Sequence, residues 1–87
     1  MYKLNPNILQ TPIENGCILL LEPSRGLYFE LNETSVVIFN GLVDKLDTNQ
    51  LVATILDNYH TNEQQALSDI KKLIEKLVDN NIIEICT

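Results

Sequence analysis

The chain has 87 residues, 45% of them hydrophobic, and a formal net charge of −6. That length suits one core and a single domain spanning residues 1–87. The acidic balance argues against a phosphate backbone or an anionic membrane as partner, because both ask for clustered positive charge, and no apolar run approaches the roughly 18 residues of a membrane span.

The N-terminus, MYKLNPNILQTP, lacks the apolar stretch of a secretory signal. Cys17 and Cys86 have no metal-like spacing and read as free thiols in a reducing cytoplasm rather than a disulfide. The first strand is expected over Ile8–Ile13, with Asn15-Gly16 behind it as a two-residue hairpin turn, since both positions tolerate positive φ. Cys17 to Leu21 is apolar on both faces, which predicts a central strand covered on both sides. Pro23-Ser24-Arg25-Gly26 reads as the next turn and Leu27–Leu31 as the third strand. Tight turns predict a meander with the second strand in the middle. The first strand carries Pro12, which suits an outer edge. The third strand has no proline, lysine or glycine to blunt its own edge.

Asn32 is a good N-cap for a first helix over Glu33–Val43. Asp47-Thr48-Asn49-Gln50 resembles a capping box, and Leu51, Val52, Ile55, Leu56 and Tyr59 then make the stripe of a second helix. Thr61-Asn62-Glu63-Gln64 opens a third helix with Ala66, Leu67, Ile70, Leu73, Ile74, Leu77 and Val78 on one face. Asn80-Asn81 is a left-handed stop, and Ile82–Cys86 a short terminal strand. Strands followed by helices predict an α+β fold, winged-helix-like, with a three-stranded antiparallel sheet before three helices.

Catalytic signals are absent. His60 is the one histidine, placed in a turn, and there is no H-E-x-x-H, glycine-rich phosphate loop or calcium-loop pattern, so neither metal nor cofactor is expected. A winged-helix reading invites DNA, but Lys71, Lys72 and Lys76 alternate with Asp69, Glu75 and Asp79, as on a solvated helical face. The third class is peptide binding by strand addition on the third strand. There Leu27, Phe29 and Leu31 share one face and Tyr28 and Glu30 the other. Part of the apolar arc of the third helix, with Lys71 at one margin and Asp69 and Lys76 at the other, would wall the groove.

The segment LLLEPSRGLYFELNETSVVIF resembles the PqqD-like family, small leader-peptide-binding domains known as RiPP recognition elements. Gly26, Tyr28, Leu31, Asn32 and Ser35 carry the likeness, with Asp69, Ile70, Leu73, Leu77 and Ile82-Ile83 later on, over residues from about 8 to 85. Phe39 stands where a tryptophan is frequent, the usual glycine before the second helix is missing from Asp44-Lys45-Leu46-Asp47, and Asn80-Asn81 replaces another. The resemblance implies a non-catalytic, cytoplasmic protein. It implies that the leader of a ribosomally made precursor docks antiparallel to the third strand, against the third helix, for delivery to a leader peptidase or radical-SAM enzyme. Lasso-peptide biosynthesis is favoured, with a coenzyme-PQQ or other radical-SAM pathway as runner-up and a DNA-binding winged helix as the competing class. The expected peptide-binding residues are Leu27, Tyr28, Phe29, Glu30 and Leu31 on the strand and Ile70, Lys71, Leu73, Ile74 and Leu77 on the helix. Lys71 is expected to meet acidic leader residues and Glu30 basic ones. Ile82–Cys86 is a rival for the same strand edge, within the chain or across a homodimer.

Overall fold

The structure is a computed structural model that describes residues 2–85. Five strands and three helices follow one another: β1 (Tyr2–Leu4), β2 (Leu9–Pro12), β3 (Ile18–Glu22), β4 (Leu27–Leu31), α1 (Glu33–Val43), α2 (Thr48–Asn58), α3 (Glu63–Asp79) and β5 (Ile83–Ile85). β2, β3 and β4 form the expected antiparallel meander, with β3 in the middle and Pro12 on the β2 edge.

The first hairpin differs in detail from expectation. Its loop is Glu14-Asn15-Gly16, three residues rather than two, closed by the Ile13 N–H donating to the Cys17 carbonyl at 3.0 Å. Asn15 and Gly16 do take positive φ, 61° and 76°. Pro23–Arg25 makes a single 3-10 turn, and Gly26 leaves it in the left-handed region at φ 62°. No atom lies within 4 Å of a Cβ built there, so the backbone angle rather than lack of room calls for glycine.

Side-chain caps fix the helix starts. Asn32 accepts from the Ser35 N–H at 2.9 Å. Asp47 and Gln50 form the reciprocal capping box. Asn62 accepts from the Gln65 N–H at 2.8 Å, so α3 starts one residue later than the box read from Thr61. Two helix ends explain the missing glycines. After α1, Leu46 N–H reaches the Gly41 carbonyl and Lys45 N–H the Leu42 carbonyl; after α3, Ile82 N–H reaches Leu77 and Asn81 N–H reaches Val78. Both are Schellman stops, whose first residue past the cap must be left-handed. Lys45 and Asn81 take that conformation, at φ 64° and 58°, without being glycine.

The core lies between the inner face of the sheet and the helices. Phe39, Leu77, Ile82 and Ala66 are fully enclosed, with Leu20, Leu31, Ile38, Ile55 and Ile70. Burying each large apolar side chain is worth about 1.5–3 kcal/mol. Gly41 faces α2 so closely that a Cβ there would sit 2.3 Å from Leu51 Cδ2.

Two findings depart from the sequence reading. Tyr2–Leu4 forms an unpredicted strand, and β5 pairs with it: Tyr2 opposite Ile85, Lys3 opposite Glu84 and Leu4 opposite Ile83. Ile83–Ile85 therefore does not occupy the edge of β4; of the terminal strand read over Ile82–Cys86, Cys86 lies outside the described residues. β3 is central, as expected, but covered on one face only. Leu20 is buried, whereas Leu21 points outward between Leu9 and Tyr28, which are 54% and 71% exposed. A chain this short supplies one helical layer, and it covers the inner face alone.

Candidate peptide-binding site

β4 is an edge strand, with β3 on one side and no strand of the described residues on the other. An edge strand turns every second residue's N–H and C=O outward, ready to pair with an added chain. Its side chains alternate as its sequence predicts. Leu31 is buried, Leu27 and Phe29 are half-buried on the inner face, and Tyr28 and Glu30 are exposed on the outer.

α3 flanks this edge and runs antiparallel to it. Near the start of β4, Arg25 Nη2 donates to the Asn80 carbonyl just past the end of α3, at 2.8 Å. Midway, the Lys76 ammonium lies over the Phe29 ring. Beyond the end of β4, a hollow of about 340 Å³ is lined by Asn32, Thr34, Ser35 and Ile38 on one side and Asp69, Lys72, Leu73 and Lys76 on the other.

The spacing of strand and helix is held by a buried carboxylate. Glu22, at the end of β3, is 4% exposed. Arg25 grips it through both Nε and Nη2, Ser24 Oγ donates to it at 3.1 Å, and Asn5 Nδ2 donates at 3.0 Å. Asn5 Nδ2 also donates to the Asn81 carbonyl at 2.9 Å. The β3–β4 turn and the β1–β2 loop thus meet on Glu22, and Arg25 and Asn5 carry the connection on to the end of α3. The Arg25 hydrogen bond, followed by those from Ser24 and Asn5, holds the Glu22 carboxyl below its usual range despite its burial, and Glu22 in turn raises Arg25.

The structure divides the residues expected to bind. Leu27, Tyr28, Phe29, Glu30 and Leu31 all lie on the free strand. Of the helical set, only Leu73 lines the hollow at the end of β4. Ile70 and Leu77 are enclosed in the core. Lys71 and Ile74 face the opposite flank, where with Tyr2, Leu67 and Glu75 they line a separate hollow. The helical wheel accounts for where those four lie. Positions 69, 72, 73 and 76 share one flank, whereas 67, 71 and 74 lie on the far side of the core stripe. Sequence reasoning placed Asp69 and Lys76 at the margin of the stripe, but nothing local says which margin faces β4. Asn32, Thr34, Ser35 and Lys72 were not foreseen as lining.

An antiparallel sheet whose β4 edge is open and walled by a helix running alongside it, while the β2 edge carries Pro12, defines a strand-accepting module in a winged-helix-like α+β fold. The model of the family described as coenzyme PQQ synthesis protein D (PqqD) matches residues 17–83, and the chain belongs to that family. Two solved structures share its fold over nearly the whole length. One is described as lasso peptide synthetase B1 complexed with the leader peptide, 25% identical with a TM-score of 0.86, covering 97% of this chain and 98% of that one. The other is TbiB1 in complex with the TbiA(beta) leader peptide, 19% identical with a TM-score of 0.84, covering 98% of both chains. No curated protein matches the chain. Among the described residues, no helix is long and apolar enough to cross a membrane.

Proposed function

We propose that this protein binds the leader segment of a ribosomally made precursor peptide as a fourth strand on β4, does no chemistry itself, and presents the precursor to a processing enzyme. The observation that carries the reading is the open edge of β4 beside α3, left open because β5 pairs with β1. Family membership supports it, as do two structural neighbours described as bound to leader peptides. The 25%-identical neighbour is described as a lasso peptide synthetase B1 complexed with the leader peptide, which favours lasso-peptide assembly over the coenzyme-PQQ alternative.

The outer sheet face fits the delivery step. Leu9, Leu21 and Tyr28 form one apolar row across three strands, open to solvent. A leader strand added to β4 would extend the same face, so the enzyme that receives the precursor would dock there on domain and leader together.

Amide hydrogen exchange with the leader of a precursor peptide, sought among the reading frames beside this chain's gene, tests the reading. New protection is expected along Leu27–Leu31. Binding without protection there, or no binding, would overturn it. DNA binding is not favoured, because Lys71 faces away from Lys72 and Lys76 and leaves no continuous basic face. A steep salt slope in titrations against random duplex would be needed to revive it.

A further inference from the structure

The chain has six Lys and Arg residues against twelve Asp and Glu, yet two of the six, Lys72 and Lys76, face the groove beside β4. Neither has an ion-pair partner among the described residues, where the one salt bridge joins Arg25 to Glu22. One acid, Asp69, lines the same hollow as the two lysines; Glu33, Glu30 and Glu75 point elsewhere. Asp69 Oδ1 accepts from Gln65 Nε2 at 2.9 Å. The Glu33 side chain lies beside Gly16 in the first hairpin. Glu30 is on the outer sheet face, and Glu75 lines the hollow on the opposite flank of α3. Two ammonium groups against the one carboxylate of Asp69, with the Thr34 and Ser35 hydroxyls across the hollow, leave the site net positive and suited to a carboxylate in an otherwise acidic protein.

The geometry also gives its position. Lys76 stands at Phe29, and Lys72 lies one turn nearer the N-terminal end of α3, beside the residues that follow Leu31. The four residues from Lys72 to Lys76 advance about 6 Å along the helix, and two strand residues advance about 7 Å. Consecutive inward side chains of an added strand therefore fall opposite Phe29 and then opposite Leu31, at the mouth of the hollow that Lys72 lines. Every ladder in this molecule is antiparallel, the more stable pairing. In that direction the residue opposite Leu31 precedes the one opposite Phe29.

We infer that the groove selects leaders with an acidic residue two positions before an apolar one, the acid meeting Lys72 and Lys76 in the hollow and the apolar side chain resting on Phe29. This rests on the leader-binding reading above and names what that site prefers.

The probe is a display library of random peptides of about ten residues, longer than the strand they would pair with. It is selected on the intact chain and followed by fluorescence titration of one enriched peptide, its Glu→Gln counterpart and its reversed sequence. Acid–x–apolar spacing should be enriched. Lys72→Gln should weaken the acidic peptide about fivefold, leave the Gln counterpart unchanged, and matter less as salt rises. The reversed sequence should bind less well. Enriched peptides that protect β4 without acidic preference, or equal loss for both peptides in Lys72→Gln, would overturn the inference and leave leader binding standing. Failure to select any peptide that protects β4 would overturn both.

Discussion

The Lys76 ammonium lies 5.3 Å from the centroid of the Phe29 ring. The helix that walls the groove and the strand that bounds it thus touch where an added strand would lay its side chains. Both residues are solvent-accessible, and such a contact is worth about 0.5–1 kcal/mol. Lys76→Met should therefore shift the urea midpoint little, by the equivalent of about 1 kcal/mol or less, while weakening leader binding measured by calorimetry. A large stability loss with unchanged affinity would assign the pair a structural role instead.

The two flanks of α3 can be separated by mutation. Ser35 lines the hollow at the end of β4, so Ser35→Phe should fill it and lower leader affinity. Ile74 lies on the far flank with Tyr2, so Ile74→Glu should leave affinity within about twofold, as expected of substitutions away from a contact. Circular dichroism checks that both variants fold. A strong loss for Ile74→Glu alone would move the groove to the other side of the helix.

The Schellman stop after α1 holds Lys45 at φ 64°, a conformation that costs a side-chain-bearing residue about 1 kcal/mol relative to glycine. Lys45→Gly should stabilise the protein by about that amount, less the entropy that glycine adds to the unfolded chain. Thermal and urea unfolding check it.

Glu22 gives the fold a pH dependence of known sign. Its folded carboxyl is held below the ordinary range by Arg25, Ser24 and Asn5. Its contribution is therefore present above the unfolded glutamate value and lost as pH falls through the lower, folded one. Urea midpoints should fall through this acid range in the wild type. Glu22→Gln should start lower and show a shallower fall. An identical pH profile would show that other carboxylates dominate.

Leader binding and delivery should part at Tyr28. Its side chain is on the outer face, 71% exposed, while its backbone belongs to the β4 edge. Tyr28→Asp should keep leader affinity within about threefold, as for a surface side chain, and impair processing of the precursor by the partner enzyme in a reconstituted assay. Equal processing by wild type and variant would remove the outer face from the delivery step.

Much of this was legible in the sequence because it is decided within a few residues. Asn32, Asp47 and Gln50 cap their helices as their spacing predicts, and Gly26 turns the chain into β4. The alternation of Leu27, Phe29 and Leu31 against Tyr28 and Glu30 was readable for the same reason. β1 was not readable: three residues carry too little pattern, and the strand exists because Ile83–Ile85 lies opposite it. Nor was the bare outer face, since an apolar strand reads the same whether its second face is covered by its own chain or left for a partner.

The sequence by itself determined the strand, its exposed and buried sides, the caps on each side of it and the family it belongs to, since all of these follow from short-range sterics, hydrogen bonding and local spacing. Only the tertiary structure decided that Ile83–Ile85 folds back onto Tyr2–Leu4 instead of β4, and that Lys72 and Lys76 rather than Lys71 and Ile74 look onto the open edge. Those choices depend on how helices and strands separated by dozens of residues pack together, and a periodic stripe fixes which positions share a flank without fixing what that flank meets.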